Sequence, residues 1–182
     1  MKLDKLFKGL TRIANGDYVL EGDLVCEEDL IIELDDRLIV KGKIEVKKSI
    51  KAGEGIEAGE GIEAGEGIEA GCGIEAGWGI EAGEGIEAGC GIKAGEGIEA
   101  GCGIEAGCGI EAKTFIHSEM RIFAGISVYH TSRNCKKFIK CAELRKGEIC
   151  FGDLVIEEPV VEMTIAEIEA KLGIKNLKIK DV

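Results

Sequence analysis

The chain has 182 residues, a net charge of −12 and only 4% aromatic side chains, against 28 glycines and a single proline. That length accommodates one domain plus appendages. No apolar run is long enough to span a membrane, and the scarcity of aromatics favours a narrow interior of small and branched residues over a ring-filled core.

Residues 2–14 place Leu3, Leu6, Phe7, Leu10 and Ile13 at helical spacing, with Lys2, Lys5, Lys8 and Arg12 on the other side. Asn15-Gly16 reads as a stop signal. The pattern predicts an N-terminal capping helix within residues 1–20 that plugs the open end of the domain that follows; a basic amphipathic helix lying on a membrane is the other reading. No secretory signal is expected, because Met1–Gly16 lacks a continuous apolar core. Tyr18–Cys26 reads as a short strand leading into the repeat.

From Gly55 to Ala112 the unit Gly-Ile-Glu-Ala-Gly-X recurs almost without error. Ile and Ala stand two residues apart, so on a strand they share the inward face while the residue between them points out. Gly-X-Gly turns the corner, and the Gly before Ile is expected to take a left-handed conformation. The register extends upstream through Ile50/Ala52, Ile44/Val46, Leu38/Val40 and Ile32/Leu34, and downstream through Ile116/Ser118 and Ile122/Ala124. One hexad cannot bury its Ile alone, whereas stacked coils bury a continuous ladder. At a spacing of 18 the variable corners form three columns: Glu54, Cys72, Cys90, Cys108; Glu60, Trp78, Glu96, Thr114; and Glu66, Glu84, Cys102, Met120. Three stacked cysteines favour three hexads per coil over two. Residues 21–125 are therefore predicted to form a parallel β-solenoid of about five three-sided coils, each rising ~4.8 Å.

After Ala124-Gly125 the hexad register fails. Residues 126–160 read as C-terminal strands, Ile126–His130 and Phe138–Ile156, with a hairpin at Arg145-Lys146-Gly147. Within 121–148 lie Arg121, Arg133, Lys136, Lys137, Lys140, Arg145 and Lys146 against Glu143 and Glu148. Residues 161–182 read as a helix–strand tail, with a capping box at Thr164–Glu167, one face made by Ile165, Ile168 and Leu172, and Gly173 as the stop. The fold class expected is thus all-β: a solenoid with an N-terminal capping helix and a small C-terminal β/α module.

The hexads resemble those of left-handed parallel β-helices, with Ala in the first inward slot and Ile in the second. They are similar also to the short Val/Ile/Gly turns of the polymer-forming bactofilins. The tail Met163–Lys180 resembles an appendage of small phage and prophage proteins of Gram-positive bacteria, which implies a phage context and no particular chemistry.

The eight cysteines include no CxxC pair and no Cys/His cluster with zinc spacing. A cytoplasmic chain with reduced thiols is expected, in the host cell if the phage resemblance holds. Cys72, Cys90 and Cys108 are read as tolerated small corner residues, with a thiol ladder for a soft metal as the alternative. Hexapeptide acyltransferases need a His base and a coenzyme A groove, and γ-type carbonic anhydrases need three His on zinc; here there are two, His117 and His130. No long loop interrupts the repeat to build a pocket. The chain is read as not an enzyme, with no cofactor and no metal.

The 14 Glu of residues 51–112, set against Lys51 and Lys93, hold the whole charge excess. Like-charge ladders cost stability. They are left by a recent hexad duplication, or they form an anionic rod that imitates a nucleic-acid backbone. The expected function on the second reading is a non-catalytic acidic binding protein, phage-encoded and anti-CRISPR-like, occupying the basic groove of a host nucleic-acid-handling or defence protein. Trp78 at an exposed corner, with Glu60, Glu96, Glu63, Glu81 and Glu99 around it, is the expected binding site. Pairing of the acidic rod with the basic 121–148 segment of another copy would give a homo-oligomer; no membrane partner is expected. The alternatives are a bactofilin-like protein that polymerises end to end and a relative of the hexapeptide acyltransferases with His117 at a subunit interface.

Overall fold

A computed structural model describes residues 1–126 and 137–157, and these form an all-β parallel solenoid of about seven turns. The strands are β1 (Lys2–Asp4), β2 (Leu10–Arg12), β3 (Tyr18–Leu20), β4 (Leu24–Cys26), β5 (Leu30–Glu33) and β6 (Leu38–Val40). Twelve three-residue strands follow at six-residue intervals, β7 (Ile44–Val46) to β18 (Ile110–Ala112). The last are β19 (Phe115–Ala124), β20 (Phe138–Cys141), β21 (Glu143–Phe151) and β22 (Asp153–Ile156). In every repeat strand the Ile and the Ala are buried and the residue between them is not. The interior is therefore a stack of isoleucines and alanines with almost no exposed area.

Each hexad pairs in parallel with the hexad 18 residues on, as in Ile62↔Ile80 and Ile68↔Ile86, so three hexads make one coil. The expected corner columns form, linked by backbone bonds. Cys90 N donates to Cys72 O (3.1 Å) and Cys108 N to Cys90 O (2.9 Å); Trp78 N donates to Glu60 O and Glu96 N to Trp78 O. The first face consists of β4, β7, β10, β13, β16 and the start of β19. The second consists of β1, β5, β8, β11, β14, β17 and the end of β19, and the third runs from β2 and β3 through β6, β9, β12, β15 and β18 to β20 and β22.

The N-terminal helix is not formed. Residues 2–4 instead add a parallel strand to β5, and β2 pairs antiparallel with β3. An isolated helix of about 13 residues is marginal in water, whereas the first coil offers a row of unpaired backbone groups. Leu3 is fully buried, but Leu6 is 91% exposed and Ile13 40%, so the apolar stripe is not one buried face. Tyr18–Cys26 is two strands rather than one, and both belong to the first coil.

That coil has 20 residues: Tyr18, Leu24 and Leu30 pair with Leu38, Ile44 and Ile50. Two extra residues lie in the corner before Leu38, so the inward pair upstream of it is Leu30/Ile32 and not Ile32/Leu34. The solenoid therefore begins at Tyr18, three hexads ahead of that corner, and fifteen more run from Leu38 to Ile122. This, with the additions at both ends, is why the turns exceed the expected five.

The strands after residue 137 continue the solenoid. β20 stacks in parallel on β18, β21 on β19 and β22 on β20. No hairpin forms at Arg145-Lys146-Gly147, since β21 runs through it and the positive φ of Gly147 (130°) lets the strand bend between two faces. Most of the expected strand Ile126–His130, and the whole helix–strand tail of residues 161–182, lie outside the described residues.

The glycines of the repeat serve a different purpose from the one expected. None of those described has a positive φ. A Cβ on Gly83 would lie 2.2 Å from Gly65 O, and one on Gly95 1.8 Å from Gly77 O. From Gly59 to Gly101 the glycine after each Ala is thus required by the close approach of the coil beneath, whereas a Cβ on Gly53 would meet nothing within 4 Å. The glycine before Ile is less confined: at Gly85 the nearest atom, Gly103 O, would be 3.4 Å away.

Candidate protein-binding face

The three faces carry different outward ladders. On the third face the sequence of rungs is Glu57, Glu75, Lys93, Glu111, Lys140. Each acid there meets a cation: Arg37 with Glu57 at 2.9 Å, Lys93 with Glu75 at 3.2 Å, Lys140 with Glu111 at 3.4 Å. The second face runs Lys51, Glu69, Glu87, Glu105, Phe123, with Lys51 paired to Glu69 at 2.8 Å. Burial, and secondarily the Glu87 charge, holds the Glu105 carboxyl above its usual range.

The first face runs Glu45, Glu63, Glu81, Glu99, His117. Only its ends are compensated. Lys43 (2.6 Å) and Lys47 (2.7 Å) bracket Glu45 and hold its carboxyl down to about 2, chiefly through their hydrogen bonds. His117 Nε2 lies 2.9 Å from Glu119 Oε1, and Lys146 pairs with the other oxygen of that carboxylate. Among the described residues no cation pairs with Glu63, Glu81 or Glu99.

Beside this ladder stands the corner column Glu60, Trp78, Glu96. Trp78 is 55% exposed. All six residues expected to form the site, Trp78, Glu60, Glu96, Glu63, Glu81 and Glu99, line one shallow groove of about 300 Å³. Stacking at an 18-residue period brings them together, since 60, 78 and 96 share a corner and 63, 81 and 99 share a strand position.

Sequence reasoning missed how the groove ends. Phe115 occupies a slot that is Gly in the preceding hexads, and its ring lies against Gly97, where a Cβ would be 2.5 Å away. Arg145 sits over that ring, 3.5 Å from its centroid. The break of Gly-Ile into Phe115-Ile116 was the available signal. At the other end lie Lys43 and Glu45.

Of the basic segment, the described cations are engaged within the chain: Arg121 with Glu148, Lys140 with Glu157 and Glu111, Arg145 with Glu143, and Lys137 over the Phe151 ring. Arg133, Lys136 and His130 lie outside the described residues. In the cysteine column, Cys72 Sγ donates to Glu54 Oε2 at 3.3 Å, and burial followed by that bond pushes its thiol up to about 11. Cys108 is disulfide-bonded, against the expectation of reduced thiols throughout.

Among the described residues no three side chains are grouped to hold a metal ion, and no helix is long and apolar enough to cross a membrane. Compared with known proteins, the chain matches no family model, no curated protein and no solved structure.

Proposed function

We propose that this protein is a non-catalytic binding rod whose first face takes the place of a nucleic-acid backbone in the basic groove of a nucleic-acid-handling protein. The observation that carries the reading is the difference between faces. On the third face every glutamate meets a cation, whereas Glu63, Glu81 and Glu99 do not, although the same hexad builds both. Repeated carboxylates about one rung (~4.8 Å) apart offer Lys and Arg side chains a row of acceptors comparable to phosphates. Trp78 adds a surface for apolar contact or for a guanidinium over its ring.

A phage-encoded inhibitor of a host defence protein, anti-CRISPR-like and acting in the host cytoplasm, is the sharpest version. It draws on the resemblance of residues 163–180 to phage proteins. The resemblance of the hexads to left-handed β-helices and bactofilins is proposed at the same level. His117 is tied to Glu119, which supports a surface role over that of an acyltransferase base.

The test is affinity capture from host cells with wild-type protein, a Glu63→Gln/Glu81→Gln/Glu99→Gln variant, and a Glu57→Gln/Glu75→Gln/Glu111→Gln control on the third face. A captured nucleic-acid-binding protein should be lost from the first variant, retained by the control, released by salt and displaced by its own nucleic acid. Equal capture by both variants, or capture indifferent to salt, overturns the reading.

A further inference from the structure

The two ends of the solenoid are not alike. At the C-terminal end β21 and β22 are the outermost strands of their sheets among the described residues. Phe151, Leu154, Val155 and Ile156 there are between 41% and 49% exposed. At the N-terminal end the first coil is crossed by residues 1–16. β1 occupies the free edge of β5 and β2 that of β3, with its direction reversed. A parallel stack that meets an antiparallel strand cannot be extended in register from that side.

The crossing segment is held by the β1–β5 and β2–β3 ladders, by Leu3, Phe7 and Leu10 against the core, and by a set of ion pairs. Lys2 pairs with Glu33 (2.6 Å), Lys5 with Asp35 (2.7 Å) and Arg12 with Asp36 (3.0 Å). Arg12 also lies over the Tyr18 ring, whose hydroxyl donates to Asp35 at 2.7 Å. The two-residue enlargement of the first coil supplies this latch. Leu3 is the one strap side chain that is fully buried. Exposed ion pairs are individually weak, about 0–1 kcal/mol each, and the strap meets the solenoid through two three-residue ladders, whereas each coil is held by a ladder on all three faces.

We propose that residues 1–16 form a detachable strap that keeps the first coil from receiving the last coil of a second copy, and that its release turns the monomer into a head-to-tail stack. The receiving edges, on the opposite side of β3, β4 and β5 from the next coil, correspond to those by which β6, β7 and β8 take the preceding coil in register and in parallel. β22 continues the face that β3 begins, and the two halves of β21 continue the faces of β4 and β5. Charge is complementary at the shared corner. Glu28 of the first coil pairs with Lys48 of the second, and the corner of β21 that would lie on its other side carries Lys146. Glu28 of the receiving copy would then have a lysine on each side.

Two full-length variants release the strap by different means: Leu3→Asp, which places a charge in the buried slot, and Lys2→Glu/Lys5→Glu/Arg12→Glu, which reverses the ion pairs and leaves the core alone. Chymotrypsin cleavage near Phe7 reports release. Sedimentation and electron microscopy report assembly, and circular dichroism reports retention of the β fold. At least one variant should combine faster cleavage with linear filaments of one-coil width, and adding Ile156→Lys on β22, at the inward position that stacks on Cys141, should return it to monomers. Four results overturn the proposal: a released strap with a monomeric particle, a strap protected in both variants, disordered aggregate alone, or filaments indifferent to Ile156→Lys.

Discussion

Gly83 and Gly85 flank the same corner residue, yet the coils confine them very differently. A methyl on Gly83 would lie 2.2 Å from Gly65 O and 3.0 Å from the carbon of that carbonyl. Ordinary contact begins near ~3.4 Å, so roughly 1.2 Å must be found between backbones that are already hydrogen-bonded, and overpacking of this kind costs about 1–3 kcal/mol. Gly83 N donates to Ala64 O at 3.0 Å. Separating the coils by that amount breaks this bond, for about 0.5–1.5 kcal/mol more. Gly83→Ala should therefore lose about 2–4 kcal/mol. At Gly85 the methyl meets only Gly103 O at 3.4 Å, and alanine restricts the unfolded chain by about 0.4–1 kcal/mol. Gly85→Ala should fall close to wild type or slightly above it. Urea denaturation followed by far-ultraviolet circular dichroism measures both, with the slope m checked for constancy. Equal losses at the two sites, or a neutral Gly83→Ala, would refute the claim that coil-to-coil approach is what selects glycine.

Three further outcomes are expected. Ile98 is fully buried in mid-stack, so Ile98→Ala should cost about 2–5 kcal/mol and Ile98→Val about 0.5–1.5, read from the same denaturation curves; a milder alanine would mean that the ladder is loosely packed. The Asp35 carboxyl is held down to about 2 by Lys5 and Tyr18, below its ordinary 3.8. A depressed carboxylate stabilises above its unfolded pKa and loses that contribution as pH falls through the folded one, so between pH 4 and pH 2 hydrogen exchange should rise at β1–β3 before β10–β16, and a uniform rise would contradict this. With the Cys72 thiol near 11 and Cys150 exposed, iodoacetamide at pH 8 should label Cys150 well before Cys72 by mass spectrometry, because the thiolate is the nucleophile.

The interior was readable because period and residue type agree at every hexad: a β-branched Ile and a small Ala two apart have one common face, and corner columns at a period of 18 gave the number of sides. Trp78 and its five glutamates were readable for the same reason, being consequences of that arithmetic. The ends were not. Leu3, Phe7 and Leu10 have helical spacing, but the free edges of β3 and β5 compete for the same backbone, and local spacing carries no information about such an edge. Leu34, itself buried, fits the inward series until the two-residue enlargement of the corner is known. The contrast between faces also escaped the sequence, because the cations that neutralise Glu57 and Glu111 come from Arg37 and Lys140, outside the perfect repeat.

Since each coil rests on another of nearly the same composition, length in this molecule is quantised. Excising or duplicating 18 residues within 55–112 would return every side chain to its own side of the prism and alter only the height. Excising six would leave the isoleucines just as content while rotating all that follows by one side, carrying glutamates from the neutralised side to the bare one. A lineage that gains or sheds hexads by slippage can thus redraw its exterior without disturbing what holds it together.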